Sequence, residues 1–241
     1  MSRLPWPNSW TPDLAAALAA RLMACPRRPH SLVRALRAIG ASILRGYLNT
    51  YHQIDITGQH HLPNDGGSFV LVANHASHLD ALCLLSALPR EVLDRAYPVA
   101  AEDYFFASLP RLAAAAIFIN AIPFGRQSHV RSSMVRCRRL LRERGNILII
   151  FPEGTRSATG EIAPFRPGIG NLLAGLDVPA VPCAIVGSHR AMHKGAIIPR
   201  PRKLRLIIGR PRSFGDHELT RESSHAIARE LQTAVEELRC G

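Results

Sequence analysis

The stretch Ala73-Asn74-His75-Ala76-Ser77-His78-Leu79-Asp80 places two histidines, a serine and an aspartate within six residues. Histidine is the side chain that exchanges a proton near neutral pH. A carboxylate on one ring nitrogen fixes the tautomer and leaves the other nitrogen free to act as a base. His75 and Asp80 are five positions apart, so on a continuous helix they would point about 140° from one another. They can meet only if His75 stands in a turn ahead of the helix. A purely local explanation competes with this one. Ser77 and Asp80 have the S-x-x-[DE] spacing of a capping box, in which Ser77 starts a helix and no chemistry follows. His78, two residues from Asp80, is a rival base.

A second polar cluster, "FPEGTRS" from Phe151 to Ser157, follows the apolar run "NILII". Pro152 and Gly154 favour a turn that leaves Glu153, Thr155 and Arg156 at a strand's mouth. It reads either as an ordinary strand exit or as an anion site, with Arg156 and nearby backbone N–H groups on a phosphate. It is not a Walker A loop, which needs a lysine and a different glycine spacing. A third cluster, "IPFGR", puts Arg126 after another apolar run.

The elements that must position these residues alternate along the chain. Strands are expected at 53–57, 68–73, 96–101, 116–122, 146–151, 178–186 and 204–209. Helices are expected at 78–88, at 128–144 with Gly145 as its stop, and at 221–239. The pattern predicts an α/β fold with a mixed, largely parallel sheet flanked by helices, and sites outside the carboxyl ends of the strands. Residues 1–50 read as an N-terminal amphipathic helix pair, 11–25 and 31–49, split by "PRRPH"; residues 51–241 form the main domain. In the second helix Leu32, Leu36, Ile39, Ile43 and Tyr47 make one stripe, with Arg34, Arg37 and Arg45 opposite. Such a helix lies in the interface of an anionic bilayer, or else packs its stripe on the domain's own core.

Composition narrows the classes. The net charge of +12 comes from 30 basic against 18 acidic residues, and only Lys194 and Lys203 among the basic ones are lysines. It reflects either a compositional habit or attraction to polyanions such as anionic lipid headgroups. With 6% aromatics and no basic stripe carrying stacking residues, nucleic acid is not an expected partner. The uncharged run Leu112 to Gly125 is too short to span a bilayer, and the N-terminus lacks the order of a signal peptide. The expected location is the cytoplasmic face of the inner membrane, in peripheral or monotopic attachment. Cys25, Cys83, Cys137, Cys183 and Cys240 are scattered singly, which argues against disulfides and zinc. No metal is expected, because His60-His61 has no acidic cluster beside it.

Taken in order, N-H-x-S-x-x-D after a strand, Phe-x-Arg, F-P-E-G-T-R-S and then "VPAVPCAI" resemble the glycerolipid acyltransferases, the bacterial 1-acylglycerol-3-phosphate acyltransferases and their relatives. The resemblance runs from about Gly58 to Arg212. It implies transfer of a fatty acyl group from an acyl-CoA or acyl-carrier-protein thioester to the hydroxyl of lysophosphatidic acid, giving phosphatidic acid for phospholipid biosynthesis, with no bound cofactor. It also implies that His75 is the general base, Asp80 its orienting acid and Ser77 a structural cap. Arg126, Glu153, Gly154, Thr155 and Arg156 would bind the acceptor's phosphate, while Val181 and Pro182 would serve the acyl donor or the shape of the site. The N-terminal pair resembles the two-helix motif that seats some bacterial relatives on the bilayer. Two departures stand out: Asn120 and Pro123 replace a usual Gly and Phe, and "VAAEDYFF" has Ala101 and Glu102 where a lysine is common. The rival expectations are the same chemistry on another lysophospholipid, an ornithine lipid or a specialised lipid, and a non-catalytic basic protein that only binds membranes.

Overall fold

The computed structural model describes residues 31–101, 119–125 and 130–241. Strands β1 (Asp55–Thr57), β2 (Phe69–Ala73), β3 (Ala96–Ala101), β4 (Ile122–Phe124), β5 (Ile147–Ile150), β6 (Ala180–Val186) and β7 (Arg205–Ile208) make one sheet. Their order is β1-β7-β6-β2-β5-β3-β4, and only the β6–β7 pair is antiparallel. The described helices are α1 (Ser31–Tyr51), α2 (Leu79–Ala87), α3 (Val130–Arg142), α4 (Gly168–Leu173), α5 (Ser188–Ala191) and α6 (Arg221–Cys240). The expected α/β fold with a mixed, largely parallel sheet is therefore the one that forms.

Central strand β2 is apolar and buried at every position, as a strand covered on both faces must be. Its side chains alternate between two apolar layers. Val70 and Val72 join Leu148 and Ala184 with residues of α3, α4 and α6, while Phe69 and Leu71 join Ile147, Ile149 and Val181 with residues of α1 and α2. Helix α4 meets α6 backbone to backbone at Gly170, where a Cβ would fall 2.2 Å from the Ser224 carbonyl oxygen. Only glycine permits that approach. Several arginines serve the helix ends: Arg138 donates to the carbonyls of Asn171, Leu172 and Ala174 at the end of α4, and Arg45 to those of Ser86 and Leu88 at the end of α2. These are carbonyls that no helical N–H can reach.

Two sequence expectations are corrected. The strand expected over 116–122 begins at Ile122 (116–118 lie outside the described residues). Asn120 has φ 55, a left-handed conformation that breaks an extended run and that asparagine tolerates. Its side-chain amide donates to the carbonyls of Asp94 and Ala96, at 3.1 and 3.2 Å. Asparagine, standing where the resemblance has a glycine, is among the residues that this left-handed conformation admits.

The second correction concerns α1. Arg37 and Arg45 do not face outward: Arg37 is buried against Asp94 at 2.6 Å, and Arg45 caps α2. Ala41, Leu44 and Leu48 share that inner face and pack on the core. The stripe of Leu32, Leu36, Ile39 and Ile43 is displaced from it by five residues, about 140° of rotation, and is exposed. The helix thus carries two apolar rows, one spent on the fold and one turned outward. The expected helix over 11–25 lies outside the described residues.

Where β2 leaves the sheet, the Asn74 side chain continues the ladder to β6. It donates to the Ile185 carbonyl at 3.0 Å and accepts from the Ile185 N–H at 2.8 Å. Asn74→Ala strands both backbone groups in a buried place and is expected to cost about 1–3 kcal/mol. A lower urea midpoint with an unchanged slope is the expected readout; an unchanged midpoint would mean that the groups find other partners.

Candidate active site

His75 lies in the turn between β2 and α2, and Asp80 in the first turn of α2. The turn brings them together, with His75 Nδ1 2.9 Å from Asp80 Oδ2. A carboxylate only accepts, so Nδ1 carries a proton, and in the neutral ring it is Nε2 that presents the lone pair. The same oxygen accepts the N–H groups of Ala76 and Ser77, both at 2.7 Å. Asp80 is fully buried in the first turn of α2, and its other oxygen, Oδ1, has no hydrogen-bond partner among the described residues. The His75 side chain keeps 21% of its surface exposed, and its ring stacks on Phe151 at 4.1 Å between centroids.

Half of a capping box is present in the same atoms. Asp80 reaches back to the Ser77 N–H as the motif requires, but the Ser77 hydroxyl accepts from Leu79 N at 3.2 Å rather than from Asp80 N. Cap and dyad are therefore one arrangement. Ser77 is fully buried, and His78 stands at the cap position of α2.

The turn after β5 holds His75 from the other side. β5 runs parallel to β2 with Val72 opposite Ile150, so the two strands end side by side. Glu153 Oε1 accepts the His75 backbone N–H at 2.6 Å and Oε2 accepts the Ala163 N–H at 3.1 Å, while Ser157 N donates to the His75 carbonyl at 2.8 Å. Glu153 is buried. Burial pushes its carboxyl above the ordinary glutamate range, and the two backbone donors pull the other way with less effect.

Gly154 turns the chain with φ 72, and its missing Cβ leaves room for the Arg166 side chain, whose Nε would lie 2.9 Å from such an atom. Arg166 is tied there through its backbone N–H, 3.0 Å from the Pro152 carbonyl. Thr155 is exposed and Arg156 half-buried. The Arg156 and Arg166 side chains form no ion pair among the described residues. The arrangement can move a proton at His75 Nε2 and offers uncompensated guanidinium groups for an anion at the neighbouring turn. No group of three or more His, Cys, Asp or Glu that could hold a metal occurs among the described residues.

Of the other expected site residues, Arg126 lies outside the described residues. Val181 and Pro182 are buried within β6 opposite Leu71 and Val72, in the wall of the sheet behind its mouth. Sequence reasoning missed Asn74, the stacking of Phe151, and Arg166. A faint signal existed for each: an amide at a strand exit, an aromatic ending an apolar strand, and an arginine before Pro-Gly.

Comparison with known proteins gives consistent results. A family model described as Acyltransferase matches residues 53–186. A 1-acyl-sn-glycerol-3-phosphate acyltransferase BAT2 (chloroplastic) of Brassica napus is 32% identical over 165 residues, covering 67% of this chain and 45% of that protein. The 1-acyl-sn-glycerol-3-phosphate acyltransferase alpha of Mus musculus is 33% identical over 133 residues, 54% of this chain and 44% of its own length. The chain thus spans about half the length of the curated relatives it matches. The crystal structure of the 1-acyl-sn-glycerophosphate (LPA) acyltransferase PlsC from Thermotoga maritima superposes with a TM-score of 0.68 at 21% identity, over 94% of this chain and 89% of that one.

The raised Glu153 carboxyl sets a pH-dependent stability. Because the folded state favours its protonated form, that contribution is complete below the ordinary glutamate pKa of about 4.3 and is lost as pH rises through the higher native value. Glutamine cannot ionise. The melting-temperature difference, wild type minus Glu153→Gln, is expected to fall as pH rises through the window just above the ordinary value. A difference that instead grows in the wild type's favour would mean that the backbone donors outweigh burial.

Proposed function

The chain belongs to the acyltransferase family, and we propose that His75 and Asp80 act as the base of an acyl-thioester-dependent O-acyltransferase whose acceptor is lysophosphatidic acid. The observation that carries this reading is the 2.9 Å contact between His75 Nδ1 and Asp80 Oδ2, which in the neutral ring directs the lone pair to Nε2 on a partly exposed side chain. Nε2 takes the proton of the acceptor hydroxyl as its oxygen attacks the thioester carbonyl. The tetrahedral adduct collapses with cleavage of the C–S bond, and the imidazolium returns its proton to the departing thiolate. Asp80 stabilises the imidazolium without itself taking the proton. A thioester is already activated, so no protein nucleophile is needed. The burial of Ser77 and its bond to Leu79 N suit a structural cap.

In this reading Glu153 positions the base through its backbone, and the phosphomonoester falls to Arg156 and Arg126, with Gly154 and Thr155 shaping the turn. Arginine's planar fork matches a phosphate bidentately. Val181 and Pro182 act on site shape by setting β6 beside β2. The donor is an acyl-CoA or an acyl-carrier protein, and no bound cofactor takes part. The names of the curated relatives support lysophosphatidic acid as acceptor, with phosphatidic acid as the product for phospholipid synthesis. No helix among the described residues is long and apolar enough to cross a membrane. The exposed row of α1 supports peripheral attachment to an anionic bilayer, placed by this reading at the cytoplasmic face of the inner membrane.

The test is thiol release from palmitoyl-CoA with detergent-dispersed lysophosphatidic acid, run against lysophosphatidylcholine. His75→Ala is expected to lower the rate by roughly 10²–10⁴-fold, and Arg156→Ala to raise KM for lysophosphatidic acid more than it lowers kcat. Release only with lysophosphatidylcholine would keep the chemistry and overturn the acceptor. A folded protein that binds vesicles but releases no thiol with any acceptor, from either CoA or carrier-protein donors, would be a non-catalytic membrane binder.

A further inference from the structure

The connection from β6 to β7 carries a feature that the reaction does not use. After α5 it projects a loop whose tip is Ile197-Ile198, exposed at 88% and 79%. Two adjacent branched apolar side chains held so fully in water are costly unless something covers them. Their surroundings indicate its chemistry. His193, Lys194, Arg200, Arg202 and Lys203 are all exposed around the tip, and the four Lys and Arg residues form no ion pair among the described residues. From 178 to 215 the chain has 8 Lys or Arg residues and no Asp or Glu.

The loop is also firmly rooted. The Arg200 N–H donates to the Ala191 carbonyl at 2.7 Å and the Ala196 N–H to the His193 carbonyl at 3.0 Å. The Tyr51 hydroxyl donates to the Pro199 carbonyl at 3.0 Å, and His52 Nδ1 to the Arg202 carbonyl at 3.1 Å. Tyr51 ends α1, so the loop is fastened to the helix that carries the exposed row Leu32, Leu36, Ile39 and Ile43. Rigid anchoring lowers the entropy lost when such a tip is covered.

We propose that the Ile197-Ile198 loop is a second membrane-contact element. Its isoleucines enter the acyl region of an anionic bilayer while Lys194, Arg200, Arg202 and Lys203 sit among the phosphates. A bilayer accounts for both halves of the pattern: an apolar tip needs an apolar phase, and an acid-free cationic collar needs a dense field of anions just outside it. The collar would also bring the mouth of the sheet to the surface from which a lipid acceptor is drawn, but the contact stands without the reaction.

The test is co-sedimentation of the full chain with phosphatidylglycerol-containing vesicles against pure phosphatidylcholine vesicles, using wild type, Ile197→Asp/Ile198→Asp, and Lys194→Gln/Arg200→Gln. Thermal melts check that each variant folds; the substituted side chains are exposed, so unchanged melting is expected. The aspartate pair is expected to lower partitioning into anionic vesicles by about tenfold or more. The glutamine pair is expected to weaken anionic binding and flatten its salt dependence, with little change on phosphatidylcholine. Wild-type binding by the folded aspartate variant would overturn the proposal and leave attachment to the N-terminal region alone. So would a wild-type dimer in light scattering that the aspartate pair dissolves without changing vesicle binding, since the tip would then be a protein contact.

Discussion

A carboxyl group removed from water needs donors on its oxygens, and Asp80, removed completely, gathers its donors on Oδ2 while Oδ1 is left without a hydrogen-bond partner among the described residues. Three N–H groups, from the His75 ring, Ala76 and Ser77, converge on its Oδ2. That convergence requires the chain to leave the sheet, turn once and enter a helix within six residues. It therefore fixes the turn, the start of α2 and the tautomer of His75 at the same time. The His75–Asp80 geometry is not added to a finished helix start; the helix start is the geometry. This is why the capping and catalytic readings of one octapeptide are compatible.

The second constraint reaches across the sheet. Glu153 is 78 residues from His75, yet it accepts that residue's backbone N–H. The link exists because β2 and β5 are parallel neighbours in a register that ends both at the same level. A glutamate at the exit of one strand thus becomes the partner of a turn at the exit of the next. It holds the main chain of His75, whereas Asp80 holds its ring.

Much of this was legible in the sequence because continuous apolar runs mark strands covered on both faces, as in Phe69–Ala73 and Ile147–Ile150. The dyad was legible too, since its two residues are close in sequence and their chemistry is distinctive. Other features were hidden for physical reasons. Helix α4 spans only Gly168–Leu173, too short to show a period. Asn120 in a left-handed turn looks like any residue of an apolar run until its φ is known. The sequence casts Glu153 as an anion-site residue, because nothing local reveals that both its oxygens are occupied by backbone N–H groups from distant turns. Side chains that bond to remote main-chain groups leave no spacing pattern behind them. The arginines of α1 misled as well, since an amphipathic count does not distinguish a guanidinium facing water from one facing a distant carboxylate, as Arg37 does, or carbonyls, as Arg45 does.

Those carbonyl-capping arginines have a wider consequence. A guanidinium paired with a carboxylate vanishes from the distant field, but one that satisfies peptide oxygens keeps its full monopole. Arg45 and Arg138 end helices as neutral donors could, yet each still adds a positive charge to the molecule's long-range potential. The fold therefore builds its net charge of +12 partly out of its own scaffolding. Encounter with any polyanionic surface is accelerated by residues that never touch it, and that acceleration persists wherever ionic strength leaves the field unscreened.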